Sequence, residues 1–522
     1  MPKFLPVLLL VSLFSSAQAA AQKMQIVAHL PYDSATLAGC WHHVDSTGRE
    51  YALVGTSRGL SIVDLANPAK PQQIFHVPGP VNNWREVRTW GGFAYVGSEA
   101  IGSGITIVDL RSLPDTVRWK TWTGDGPNEG TVLSSHTVGT ADGHLYVFGA
   151  SMLTNGAIIC DLSDPWNPRI IGTYTTNYLH DGFVRGDTLW GSEIYEGQFS
   201  VIDISDKTAP VLLQTQQTPG QFNHNGWLSD DGRTFFTTDE RPDSPLTAFD
   251  VSDLGNIRQL DTYFPSRYPS REVHNVRGLG NFLVNPSYGG QLTIVDATHP
   301  DNLIEVGFAS LGSSLVWDAD PYLPSGIVVA TAKNEGLYIL KPKYQQAAYL
   351  EGAVTDASTG DSLAGAKIRV LDTPQSETTR VNGIFKTGAA QPGTYTVMVE
   401  KPGYASQTIA GVALQTGQIT RLDVALVPVV ASAQGVGFQA PASVSPTVFR
   451  NCLMVDLPAD SPFAASDSVI RVSDLSGKTV ARTFAAGPRT EICLESSLPA
   501  GQYLVFLENS QAKSAPMRVV KG

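Results

Sequence analysis

Apolar residues along most of this chain come in runs of four to six, cut by glycine, proline and aspartate. "YALVG" (51–55), "FAYVG" (93–97) and "HLYVFG" (144–149) are typical, and each is followed by a second run such as "LSIVDL" (60–65). Short runs rich in Val, Ile, Thr and aromatic residues, bounded by turn formers, predict strands. No long stretch carries the 3.6-residue apolar period of a helix. The expected fold class is all-β.

The runs repeat. "GLSIVDLANPAKP" (59–71), "GITIVDLRSLPD" (104–115), "GAIICDLSDPWNP" (156–168), "QFSVIDISDKTAP" (198–210), "PLTAFDVSDLGNI" (245–257) and "QLTIVDATHPDNL" (291–303) share one phrase, with "GLYILKP" (336–342) as a worn copy. Asp64, Asp109, Asp161, Asp203, Asp250, Asp296 and then Lys341 end the phrase at intervals of 42 to 52 residues. A four-stranded unit of roughly 40–50 residues is the length of a propeller blade. The Asp and Pro residues then shape the hairpin between third and fourth strands, because Asp accepts from nearby N–H groups and Pro fixes φ. The seventh copy has no fourth strand after it, whereas "MQIVAHL" (24–30) has an outer-strand pattern and precedes the first unit. Pairing the two ends predicts a seven-bladed β-propeller over 22–342, closed by an N-terminal outer strand that leaves no open edge.

Counting back from each phrase aligns the starts of the innermost strands. "LSSHTVG" (133–139), "NYLHDGF" (177–183), "QFNHNGW" (221–227) and "REVHNVR" (271–277) fall at one level, so four of only ten histidines share a position. The full column reads His42, Arg85, His136, His180, His224, His274 and Trp317, and the next residues are His43, Glu86, Thr137, Asp181, Asn225, Asn275 and Asp318. A second column opens the loop between second and third strands: Ser57, Glu99, Ser151, Glu193, Asp239, Ser287 and Lys333, with Glu196, Glu240 and Glu335 close behind. Imidazoles and carboxylates converging on one axis compose a divalent-metal site, with zinc, copper or iron suited to neutral imidazole. They equally compose a wet, polar channel. The candidate metal ligands are His42, His136, His180, His224, His274, Glu193 and Asp239. Trp41, Trp84, Trp227, Trp317 and Tyr195 either stack on a sugar or aromatic ligand or pack between blades. No Ser-His-Asp phrase, nucleotide loop or HExxH motif occurs, so no catalytic residue is assigned.

Composition narrows the partners. A net charge of −12 without any basic run excludes a nucleic-acid surface. Lys3, "FLPVLLLVSLF" (4–14) and "AQA" (17–19) read as a signal peptide over 1–19. No segment reaches the roughly 20 apolar residues of a transmembrane helix. Four cysteines suit an exported chain without a dense disulfide framework, and Cys452 and Cys493 lie on neighbouring predicted strands.

Three resemblances follow from these phrases. The repeats resemble the LVIVD-repeat proteins of the choice-of-anchor B family across roughly 24–342, which implies a bacterial surface or secreted propeller of undefined biochemical role. "TGDSLAGA" (359–366), "VNGIF" (381–385) and "PGTYTV" (392–397) resemble the carboxypeptidase regulatory-like domain, which implies a non-catalytic β-sandwich of about seven strands over 347–428. After a linker at 429–440, "SVIRVSDLSGKTV" (468–480), "LPAGQY" (498–503) and "PMRVVKG" (516–522) resemble the C-terminal sorting domain of the type IX secretion system. That implies a second small β-sandwich at 441–522 that engages the secretion machinery, in a Bacteroidetes-type Gram-negative host. "VSPTV" (444–448) stands where the family carries an Asn-Pro pair, which puts its first strand in doubt. The expected protein is secreted or held at the outer-membrane surface and binds a polar ligand or surface partner. A metal-dependent hydrolase or oxidoreductase and a surface-layer spacer are the alternatives.

Overall fold

A computed structural model describes residues 22–151, 156–265, 272–313, 315–429, 442–458, 461, 463, 468–509, 514 and 516–522. The expected signal peptide and, apart from Val429, the expected linker lie outside the described residues. Strands dominate: the helical elements among these residues are two 3-10 turns, Gly126–Asn128 and Leu254–Asn256.

The repeats form successive four-stranded antiparallel sheets. Sheet one takes Leu37–Val44, Glu50–Thr56, Gly59–Asp64 and Gln72–Pro78 in that order from inside to outside. Sheets two to six repeat the order at 85–122, 137–174, 181–217, 223–263 and 277–310. Sheet seven combines Val316–Asp320, Val328–Ala332 and Gly336–Lys341 with Gln25–Leu30 from the other end of the chain. Val316–Asp320 packs beside Leu37–Val44, so the last sheet meets the first in a propeller-like ring.

The repeated Asp has the local role its chemistry predicts. The carboxylates of Asp64, Asp109, Asp161, Asp203, Asp250 and Asp296 each accept from the backbone N–H two residues on, at 2.7 to 3.2 Å. The third and fourth strands slip register at Ile62/Val63, Ile159/Cys160, Val201/Ile202, Ala248/Phe249 and Ile294/Val295. Such bulges increase local twist.

Closure follows the pattern of the ends. Gln25–Leu30 runs antiparallel to Gly336–Lys341, with Gln25 opposite Lys341 and Leu30 opposite Leu337. Just upstream, Gln22–Lys23 adds a parallel fifth strand to sheet six. Buried Met24 sits between the two pairings and shares a core with residues of both sheets.

The described residues up to 427 form one compact unit. Its second part has eight strands rather than about seven, spanning 348–426 in two sheets around a core that includes Leu350, Phe385 and Val399. It is tied to sheet six at Asp296, which accepts from the Tyr349 hydroxyl at 2.6 Å and the Ala347 N–H at 2.7 Å. The second unit, Pro428–Gly522, has a three-stranded and a five-stranded sheet around Leu453, Ile470 and Val505. Cys452 and Cys493 are directly opposed on paired strands and form a disulfide, while Cys40 and Cys160 are buried thiols. Among the described residues no helix is long and apolar enough to cross a membrane.

Candidate functional site

Strand pairing locates the predicted column. His136, His180 and His274 each donate their backbone N–H to the second strand of their own sheet, at Phe148, Ser192 and Pro286. Arg85, His224 and Trp317 stand at equivalent positions beside Glu86, Asn225 and Asp318, which pair with Gly97, Thr238 and Thr331. Sheet one departs from expectation. Tyr51 opposes Asp64 as Thr188 opposes Asp203, which makes Gly55 the counterpart of Ser192. The register then puts Ala38 and Gly39 at this level, not His42 and His43. Leu37–Val44 runs on past this level, to Val44 opposite Glu50, and carries the two adjacent histidines with it. His42 lies further along the strand, where its Nδ1 is 2.7 Å from Asp320 Oδ2 and its ring lies near Trp41 and Tyr322. It does not belong with the other four histidines.

Those four form an arc. Ring centroids are 3.8 Å apart for His136 and His180, 4.4 Å for His180 and His224, and 4.2 Å for His224 and His274. Each ring is oriented by a neighbour. Nδ1 of His180 meets the His224 carbonyl at 3.3 Å, Nδ1 of His224 meets the His274 carbonyl at 2.9 Å, and Nδ1 of His274 meets the Trp317 carbonyl at 2.5 Å. A carbonyl only accepts, so Nδ1 carries the proton and Nε2 keeps its lone pair. His136 directs Nδ1 to Glu99 Oε1 at 2.5 Å with the same consequence. One donor nitrogen each of His136, His180 and His224 lie within 4.8 Å of one another, as do donor atoms of His224, Glu240 and His274. The Glu240 carboxylate is 3.8 Å from His224 Nε2 and 3.7 Å from His274 Nε2, and accepts from the Tyr288 hydroxyl at 2.6 Å. Nε2 of His274 is buried without a hydrogen-bond partner.

Burial, reinforced by neighbouring imidazoles, holds the pKa of His180 and His274 well below the ordinary histidine value. Burial also lowers that of His224, against the pull of Glu240. These three rings are therefore neutral at pH 7. This is the arrangement in which metal-binding histidines are usually held: one nitrogen fixed by an outer acceptor, the other presented.

The imidazoles share a small cavity of about 20 Å³, room for little more than one water, with Trp84, Glu86, Asp181, Asn275 and Trp317. Glu86 accepts from the Trp317 indole N–H at 3.2 Å, and burial followed by the charge of Asp318 pushes its pKa up. Gly39 makes room for this carboxylate, since a Cβ there would stand 2.1 Å from Glu86 Oε2. Nearby, Asn225 donates to Asp181 at 2.5 Å, Asn275 donates to Asp318 at 3.1 Å, and Arg277 pairs with Asp318 at 2.9 Å. Glu86, Asp181, Asn225, Asn275 and Asp318, the residues that follow the histidine column, are thus hydrogen-bonded in the interior of the ring.

The two carboxylates chosen from sequence are used elsewhere. Glu193 accepts from Asn177 at 2.9 Å and Gln198 at 2.6 Å. Asp239 accepts from the Thr218 hydroxyl and from the N–H groups of Gly220 at 3.0 Å and Phe222 at 2.9 Å, shaping its loop. Glu99 and Glu240, present in the same loop positions, are the ones that reach the imidazoles. The aromatic residues divide. Trp84 and Trp317 wall the cavity. Trp227 packs on Phe183 and Tyr322, Trp41 lies under Arg88, and Tyr195 is largely exposed beside Tyr178.

Comparison with known proteins agrees with the repeat reading. Residues 49–78, 150–176 and 195–218 match the LVIVD repeat, and 349–427 match the carboxypeptidase regulatory-like domain. No curated protein matches the chain. Among solved structures it is similar to the WD40 β-propeller domain of Doa1, with 11% identity and a TM-score of 0.46 over 62% of this chain and 98% of that one. The protein carries LVIVD repeats and a carboxypeptidase regulatory-like domain in an all-β frame.

Proposed function

We propose that the protein is an exported seven-bladed β-propeller binding module, and that its ligand centre is the imidazole arc holding one divalent transition metal. The observation that carries this is the shared orientation of the rings: His180, His224 and His274 each commit Nδ1 to a carbonyl of the next sheet, which leaves Nε2 as the donor. Imidazole nitrogens and a carboxylate oxygen, without a thiolate, suit zinc, copper or iron over calcium or magnesium. His224 belongs to both ligand groups, yet its single free nitrogen serves one ion. Full-length protein stripped by chelator should therefore take up about one equivalent of Zn²⁺ or Co²⁺ and melt at a higher temperature, because binding favours the native state. His224→Ala should weaken binding by more than the roughly 10–100-fold that loss of an outer hydrogen-bond partner costs. His42→Ala should leave it unchanged. A chain that takes up no metal, or binds as well without His224, would refute the site.

Export rests on the signal-like residues 1–19 and on the sorting-domain phrases of 441–522, supported by a C-terminal unit with its own core and a disulfide. In a host competent for type IX secretion, deleting 441–522 should leave the propeller folded and periplasmic. Surface display of that truncation would exclude a sorting role. A metal-dependent enzyme is the second reading, favoured by the buried Glu86 carboxyl in the same cavity.

A further inference from the structure

The inner strands of sheets one and two have a second level, at the end away from the imidazole arc. Tyr51 and Phe93 face the phrase-ending Asp64 and Asp109, and on their other side they oppose His43 and Trp90. His43 and Trp90 therefore stand at equivalent positions on adjacent sheets. The same position holds Ala141, Arg185 and Leu279 in sheets three, four and six. His43 and Trp90 line one cavity of about 540 Å³, within the range of ligand pockets, together with Asp45, Ser46, Thr89 and Arg111. The turn after Trp90 is Gly91-Gly92, both at positive φ, so it puts no side chain into that space.

Two of these side chains lack the partners their chemistry calls for. His43 is only 9% exposed, and its Nε2 is buried without a hydrogen-bond partner. Burial lowers its pKa, against the pull of Asp45, so the ring is neutral at pH 7. An unpaired buried nitrogen costs free energy that an entering hydroxyl can recover. Trp90 is 38% exposed and presents its indole to solvent. The other polar groups are mixed. Arg111 holds Asp109 through Nε and Nη2 at 2.8 Å each, which leaves Nη1 as a donor. Asp45 accepts from the Tyr51 hydroxyl at 3.1 Å, and its charge balances that of Arg111. Ser46 and Thr89 can each donate and accept. Donors and acceptors together, one aromatic face and balanced charge match a neutral ring that carries several hydroxyls. A purely aromatic ligand would leave the polar lining unpaired, and a charged one would meet a like charge beside an opposite one.

We propose that the cavity between sheets one and two binds a neutral sugar, with its C–H face on Trp90 and its hydroxyls on His43, Asp45 and Arg111. This site is separate from the imidazole arc and does not depend on a metal. The sugar is either free or the end of a larger glycan. Association is by stacking and hydrogen bonding, with no covalent step.

The test uses full-length protein, titrated by calorimetry with glucose, galactose, mannose and N-acetylglucosamine, and applied to an array of neutral and acidic oligosaccharides. The expected result is saturable binding of at least one neutral sugar. A response to free monosaccharides assigns a soluble sugar, and one confined to neutral oligosaccharides assigns a glycan end. Trp90→Ala should weaken that binding by about tenfold or more, the loss expected when a stacked aromatic face is removed. His43→Phe, which keeps a ring and removes its nitrogens, should weaken it by about threefold to tenfold. Tyr195→Ala, which removes an exposed aromatic residue of sheet four, should leave it unchanged, as should a chelator. No binding of any neutral sugar, binding of acidic glycans alone, or equal affinity in Trp90→Ala and the parent would overturn the inference and leave the metal site standing. Binding abolished by chelator would also overturn it, since the sugar would then belong to the imidazole arc.

Discussion

Sheets three to six and sheets seven, one and two occupy one ring and share one strand plan, yet they present opposite chemistry at the same level. The first group offers His136, His180, His224 and His274, each ring held so that its donor nitrogen is available. The second group offers Trp317, Ala38 and Arg85. The Arg85 guanidinium turns away to the carbonyls of Thr56 and Pro80, and Trp317 gives its carbonyl to His274 and its indole N–H to Glu86. A repeat thus sets where a side chain stands, and the residue placed there decides whether that sheet binds or supports. Asymmetry within a near-symmetric ring is what makes a one-sided site.

The comparison can be broken most severely at sheet seven, the supporting sheet built from both ends of the chain. A chain starting at Asp33 lacks Gln22–Leu30, hence the outer strand of sheet seven, the fifth strand of sheet six and the buried Met24. It should lose a large share of the roughly 5–15 kcal/mol that stabilises an ordinary domain. Thermal unfolding measures this, and melting like the full chain would mean the closure is unimportant.

A smaller effect is expected in sheet one, where the supporting half depends on having no side chain. Gly39→Ala would drive its Cβ into the Glu86 carboxylate, at a cost of about 1–3 kcal/mol for overpacking. Adding Glu86→Ala should recover most of that loss in a urea titration. If the double variant is no more stable than Gly39→Ala, the clash is not with Glu86.

The smallest effect concerns the binding half and has a definite sign. The folded protein keeps His180 and His274 neutral well below their ordinary pKa. As pH falls below about 6.5, the unfolded chain takes up protons that these rings refuse. Metal-free stability should therefore be full above that pH and fall as the solution is acidified, until the lowered folded pKa values are passed. Replacing both histidines with Gln should flatten the melting temperature between about pH 6.5 and 5. An unchanged slope would assign the loss to other groups.

Much of this was legible beforehand, for identifiable reasons. The phrase-ending Asp binds the N–H two residues on, a purely local interaction, so its spacing marks every unit from Asp64 to Asp296. Counting back from it located Arg85, His136, His180, His224, His274 and Trp317, which all stand where the inner strand starts to pair with the second. It failed at His42, because Leu37–Val44 runs on past this level to pair Val44 with Glu50, and a pair of adjacent histidines lies four residues beyond the true position. The small pair Ala38-Gly39 was the available signal. The choice of Glu193 and Asp239 failed differently. Both occupy the predicted loop positions, but backbone amides and neighbouring amide side chains capture them there, while Glu99 and Glu240 turn to the imidazoles.

What the sequence determined by itself is what depends on short range: the strands, from apolar runs between turn formers; the units, from the repeated Asp; and the pairing of "MQIVAHL" with "GLYILKP", from two incomplete patterns that complete each other. The tertiary structure decided what depends on neighbours far apart in the chain. The acceptor that fixes the His274 tautomer is the carbonyl of Trp317, 43 residues away, and the residue that gives Glu86 its space is Gly39 on another sheet. A donor lone pair is set by what holds the other side of the ring, and that partner is known only once the sheets have packed.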